Sequence, residues 1–175
     1  MVARAPFSMI SFYLFSLVFG AWAMAVAVCD CRSRRVPNTL VGAGLVAALA
    51  AALLHAGPTH LGIGEALAAA AVGLAALMPF FVLGMMGAAD VKVFAVLGAW
   101  CGMQSLVGLW VVASLAAFVH AIAMLIALRS RAHATAARPA RLVTVGAKRG
   151  TPYAACLSVP ALVWLVFQLV SGWPI

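Results

Sequence analysis

The hydrophobic positions of the chain fall into long uninterrupted runs separated by short polar breaks. Phe7 to Val28 is the first run, and crossing the hydrocarbon of a bilayer as a helix takes roughly 20 residues. Leu40 to Leu54 is the second, rich in Ala and Gly, and Ala66 to Leu83 is the third, with Pro79 expected to kink it near its end. Val93 to Gly102 predicts a short fourth helix, in which Gly98 and Gly102 form a small-xxx-small pair suited to close helix contact. Gln104 and Ser105 then mark a tight turn, and Leu106 to Leu128 predicts a fifth helix. The sixth opens at Pro152 and Tyr153 and runs to about Val170. Proline suits a first helical position and tyrosine suits the membrane interface. The pattern predicts an all-α polytopic membrane protein with about six transmembrane helices, a single domain over residues 1–175.

Composition agrees. Of 175 residues 67% are hydrophobic and 8% charged, more apolar surface than a soluble domain of this length can hide. The net charge of +8 is compatible with nucleic acid or with a membrane surface, and its placement decides. Arg32, Arg34 and Arg35 follow the first run, whereas only Arg4 precedes it. Residues 129–150 hold Arg129, Arg131, Arg138, Arg141, Lys148 and Arg149 without interleaved aromatics, so this segment reads as a loop attracted to anionic lipid and not as a nucleic-acid surface. With the N-terminus outside, ten of the eleven Lys and Arg residues lie on the cytoplasmic side, as the positive-inside bias requires. Ala25-Val26-Ala27 resembles a signal-peptide cleavage site, but the run before it is too long and the charges lie on the wrong flank.

The polar breaks are mostly structural. Pro37 stops helical continuation, and Asn38 or Thr39 is placed to cap the second helix. His55 and His60 lie in an external turn with no third metal ligand nearby. His120 is either a packed, hydrogen-bonded histidine or a proton carrier, the former being favoured. Cys29, Cys31, Cys101 and Cys156 form no CxxC pair and no zinc spacing. No metal, cofactor or disulfide framework is expected.

The acids are the exception. There are only three, Asp30, Glu65 and Asp90. Glu65 falls in the first turn of a helix, where the macrodipole favours an acid. Asp30 falls at the end of the first helix, where it does not; a salt bridge to a neighbouring Arg or a functional role would explain it. Asp90 is either an N-cap or a functional carboxylate near hydrocarbon. The topology sets Asp30 and Asp90 at matching depth on the cytoplasmic boundary and Glu65 on the other face. Two carboxylates within hydrogen-bond range cannot both ionise cheaply, so they share a proton and can act as base and acid toward water. Lys92, two residues after Asp90, faces roughly the other way on a helix and is expected to snorkel to head groups.

Three segments resemble the type IV prepilin peptidases, membrane aspartyl proteases of the GxGD type. Asp30-Cys31-Arg32-Ser33-Arg34-Arg35-Val36-Pro37-Asn38 is similar to the family's first catalytic loop, with Val36-Pro37-Asn38 closing it. Gly87-Ala88-Ala89-Asp90-Val91-Lys92 is similar to its Gly-x-Gly-Asp-x-Lys motif, with Ala89 in place of the second Gly, where a methyl group could crowd backbone near the site. Pro152-Tyr153 is similar to a weaker third motif. The resemblance implies Asp30 and Asp90 as catalytic pair and a prepilin as substrate, cut at its short basic leader just before its hydrophobic helix. It further implies the inner (cytoplasmic) membrane of a bacterium as location. Larger relatives carry a cytoplasmic domain with paired CxxC motifs and methylate the new N-terminus. This chain looks like the short form found with tight-adherence (Flp) pili, so peptidase activity alone is expected. A proton-coupled transporter would need its acids near the midplane. A pilus-assembly factor with a degenerate site, marked by Ala89, is the other alternative.

Overall fold

The structure, a computed structural model, describes residues 6–33, 35–135 and 153–171. Its elements in order are α1 (Pro6–Ser33), α2 (Asn38–Leu53), α3 (Ile63–Val82), α4 (Ala88–Thr135) and α5 (Tyr153–Ser171). Among the described residues there is no strand. Met9–Ser33, Ile63–Val82, Ala88–Ala127 and Tyr153–Val170 are long and apolar enough to cross a membrane, and Asn38–Leu53 is a shorter apolar helix. The chain is a polytopic, all-α membrane protein, as the hydropathy pattern predicts.

The fourth and fifth expected helices are the two halves of α4. They part at Gly102, whose φ of 77° and ψ of 172° are not helical. The break therefore comes before Gln104 and Ser105, which are themselves helical. A residue with a Cβ pays heavily for that conformation, so the chain turns where it has a glycine and not at its polar pair. The second half of α4 also continues to Thr135, past the expected end at Leu128. Gly98 does serve close contact, since a Cβ there would strike the backbone of Ala69 on α3. Pro79 lies inside α3, four residues before Leu83, whose N–H donates to its carbonyl at 3.0 Å.

Three other expectations are corrected. The helix α1 runs past Val28 to Ser33, so Asp30 and Cys31 are helical and not part of a loop. The N-cap of α2 is Pro37, with no side-chain cap from Asn38 or Thr39. His120 is exposed on α4 and is not packed in the core. His55 and His60 are turn residues, with positive φ values of 48° and 52° and the His60 Nδ1 2.9 Å from the His55 carbonyl.

The helix α5 packs against α1 and α4, α3 against α4, and α2 bridges α1, α3 and α4. An aromatic cluster joins three of them: Phe19 of α1 lies 5.1 Å from the Trp100 ring of α4 and 6.5 Å, edge on, from Trp164 of α5. Indole N–H groups would be orphans in an apolar core, and both find carbonyls on α2. Trp22 donates to Leu40 at 2.9 Å and Trp100 to Gly44 at 3.2 Å. These contacts fix α1, α4 and α5 side by side, which brings the end of α1 and the starts of α4 and α5 to one end of the bundle.

Candidate active site

Asp30 occupies the last turn of α1, the end where a helix disfavours negative charge. It is nonetheless only 6% exposed. The compensation comes from another helix. The backbone N–H of Ala155, in the first turn of α5, donates to its Oδ2 at 2.8 Å. The unpaired N–H groups at the start of a helix are natural partners for a carboxylate. Asp30 is thus badly placed on its own helix and well placed on α5.

Asp90 lies in the first turn of α4. It is not the N-cap, because Ala88 already begins the helix. Instead its Oδ2 reaches back to accept the N–H of Gly87 at 3.0 Å. A Cβ at position 87 would come within 3.2 Å of that same oxygen, which explains a glycine here. The carboxylate also lies within the electrostatic reach of Asp30 and of the Ala154 backbone on α5. The first turn of α5 therefore lies beside both carboxylates, and the three helix ends converge on one site.

The remaining motif residues surround this point. Tyr153 opens α5, half-buried within the electrostatic reach of Asp90, its hydroxyl 3.2 Å from the Ser114 Oγ of α4. Lys92 does not simply extend toward head groups, as the sequence suggests. Its Nζ donates to Asn38 Oδ1 at 3.0 Å, tying the second turn of α4 to the first residue of α2. Pro37 contributes its carbonyl, which accepts from Leu40 and Val41 at 3.0 and 3.2 Å. Ala89 stands in the first turn of α4, half-buried against the core cluster. An alanine methyl suits a helical position turned toward a core, so the residue in place of the motif glycine fits its surroundings. Pro152, and the basic segment from 136 to 151, lie outside the described residues.

Other polar groups stay apart. Glu65 accepts the N–H of Gly62 at 3.0 Å at the start of α3, a helix length from Asp90. Cys31 and Cys156 flank the carboxylates, on α1 and α5, and all four cysteines are free. No group of three or more His, Cys, Asp or Glu among the described residues is arranged to hold a metal ion. Sequence reasoning overlooked the N–H groups of Ala154 and Ala155 and the hydroxyl of Ser114. Backbone donors leave no residue signature, although the Pro152-Tyr153 helix start pointed to their position. Ser114 is one small polar residue in an apolar run, and nothing local distinguishes it.

A family model described as the type IV leader peptidase family matches residues 17–124, more than half of the chain. No curated protein and no solved structure matches. The matched range contains both aspartates and the Lys92–Asn38 contact, and it ends within the second half of α4.

Proposed function

The chain belongs to the type IV leader peptidase family, and from that premise we propose that it is an aspartyl endopeptidase working through Asp30 and Asp90. Membership makes it a peptidase, with a pilin precursor as the general kind of substrate. The observation that carries the mechanism is the meeting of the two carboxylates at the first turn of α5. Like charges in one site disfavour double ionisation, and the mechanism needs one proton on the pair.

The reaction follows from that proton. The unprotonated carboxylate takes a proton from water as the water oxygen bonds to the scissile carbonyl carbon. The protonated partner gives its proton to the carbonyl oxygen, forming a tetrahedral diol. The C–N bond then breaks, the nitrogen takes a proton from the first carboxyl group, and a diol hydroxyl returns one to the second. Both carboxyl groups end as they began. The N–H groups of Ala154 and Ala155 hold the carboxylate oxygens in place through the cycle, which is how a preorganised site limits reorganisation.

The substrate is a precursor with a short basic leader ahead of an apolar helix. Such a helix partitions into the bilayer and leaves the scissile bond at the boundary where α1 ends and α4 and α5 begin. The location is the inner membrane of a bacterium, with the site on its cytoplasmic side. The short form associated with tight-adherence pili is favoured by the connection between α1 and α2. It runs directly from Ser33 to Asn38, with no room for a CxxC-bearing domain of the kind that accompanies methylation. Activity is therefore leader removal alone.

The test is conversion of a co-expressed pilin precursor, scored by the size shift on leader loss and by mass measurement of the new N-terminus. An unmethylated product from the intact protein and none from Asp30→Asn is the expected result. Cleavage that survives Asp30→Asn at normal membrane levels would remove the aspartyl mechanism and leave the family assignment standing.

A further inference from the structure

The first turn of α5 meets both carboxylates through backbone atoms, so the reaction depends on where that turn sits. Its position has to be held to a fraction of an ångström, since the Ala155 N–H to Asp30 bond is 2.8 Å long. Apolar packing does not define it that closely. Leu157, Ala161 and Leu165 are buried along the helix and fix its axis, but apolar surfaces permit small slides and rotations at little cost. Ala154 and Ala155, 0% and 6% exposed, have no side chain that could reach a polar partner. The head of α5 also has a directional side-chain contact to α4, between the Tyr153 hydroxyl and Ser114 Oγ, at 3.2 Å.

We propose that Ser114 is a positioning residue for the carboxylate pair, acting through Tyr153 to fix the first turn of α5. The proposal rests on the aspartyl reading above and adds to it a residue on the second half of α4. Ser114 does not touch the carboxylates. It holds the phenol of the residue immediately before the two N–H donors, and a side chain anchored there sets the rotation and height of the donors. The contact is half-buried, so its loss is not readily made good by solvent. A hydroxyl is required at 114 because the phenol needs a polar partner at that depth, and serine is the smallest residue that offers one beside a tight helix contact.

The experiment uses the full chain in nanodiscs with a synthetic precursor peptide, comparing Ser114→Ala, Tyr153→Phe, the double variant and Ser114→Thr. Each single change removes the same bond from one side. We expect kcat to fall roughly 10- to 100-fold in both, the range for small misplacement of catalytic groups, with KM little changed. The double variant should be no worse than either single one, and Ser114→Thr should recover most of the rate. Backbone hydrogen exchange across 153–157 should quicken in Ser114→Ala, a readout independent of activity.

Unchanged kcat and exchange in Ser114→Ala overturn the proposal, as do losses that multiply in the double variant. A loss that merely follows the fraction of folded protein overturns it too. If Ser114→Ala does not accumulate, Tyr153→Phe poses the same question with the ring retained. Failure here leaves the aspartyl reading intact as long as Asp30→Asn remains inactive. If Asp30→Asn is active, that reading falls, while the exchange measurement still reports on the anchor.

Discussion

Lys92 and Asn38, 54 positions apart in the chain, are joined side chain to side chain, with Nζ donating to Oδ1 at 3.0 Å. The contact links the two motifs at a second point, independent of the carboxylates themselves. Lys92 stands two residues beyond Asp90 and so turns away from it on α4; Asn38 begins α2 after the break that follows α1. The bond therefore braces the α1–α2 connection against the helix that bears Asp90.

Removing that brace should slow cleavage without abolishing it. Lys92→Met and Asn38→Leu each delete one hydrogen bond at an exposed site, worth about 0.5–1.5 kcal/mol, or roughly 2- to 10-fold in rate. Initial rates of leader removal should fall by similar factors in both, and the double variant should match the single ones. Asn38→Asp keeps an acceptor for the ammonium and should stay near the parent rate. Multiplied losses in the double variant would mean that the two residues act separately.

Topology gives a second expectation. With the positive charges of residues 32–35 held inside, reporter fusions after Arg35 and after Arg129 should read cytoplasmic, and one after Pro58 should read external. An external signal after Arg35 would put the end of α1, and Asp30 with it, on the wrong side of the membrane for a cytoplasmic leader.

The glycine break in α4 yields a stability prediction. Gly102, at φ 77°, adopts a conformation reserved for glycine, and a Cβ there would meet Leu61 at 3.1 Å. Gly102→Ala should cost about 1–3 kcal/mol from the backbone alone, read as a lower midpoint in a thermal scan of the detergent-solubilised protein. Gly64→Ala is the control: its Cβ would meet nothing within 4 Å in the first turn of α3. It should be neutral or slightly stabilising, because alanine is the better helix former. Equal midpoints for the two variants would show that the break at Gly102 does not set the path of α4.

Much of this architecture is legible in the order of residues, because apolar run length and charge placement are what a bilayer reads. Asp30 and Asp90 stand out in a chain with three acids, Asp30 because it sits at the wrong end of its helix and Asp90 because a carboxylate near hydrocarbon demands a reason. The partner itself was hidden. Asp30 finds the Ala155 N–H, 125 positions away, and no alanine announces that its amide is wanted. The turn between the halves of α4 was misplaced because Gln104 and Ser105 are the polar residues there, while the backbone followed the conformational freedom of Gly102. Lys92 was misjudged because snorkelling is the general behaviour of an interfacial lysine, and only the packing of α2 on α4 brings Asn38 within its reach.

The mechanism turns on whether Asp90 is more than a helix-terminal acceptor, and the protein contains its own comparison. Glu65 accepts the Gly62 N–H at 3.0 Å, just as Asp90 accepts the Gly87 N–H at 3.0 Å, each reaching back from the first turn of its helix. Only Asp90 also faces a second carboxylate and a second helix end. If reaching back were its whole role, Asp90→Asn would be almost without cost, because the amide oxygen can accept the same N–H. Asn cannot cycle a proton, however, and general acid–base work contributes about 10²–10⁴ in rate. We therefore expect Asp90→Asn to lose at least that much cleavage of a co-expressed precursor, with unchanged membrane level and little change in thermal midpoint. Glu65→Gln should cleave at the parent rate, since it leaves an acceptor in place at the far end of α3. Residues that act as a unit lose activity non-additively, so Asp30→Asn combined with Asp90→Asn should be no slower than either alone. Normal processing by Asp90→Asn would reduce that carboxylate to the role Glu65 plays.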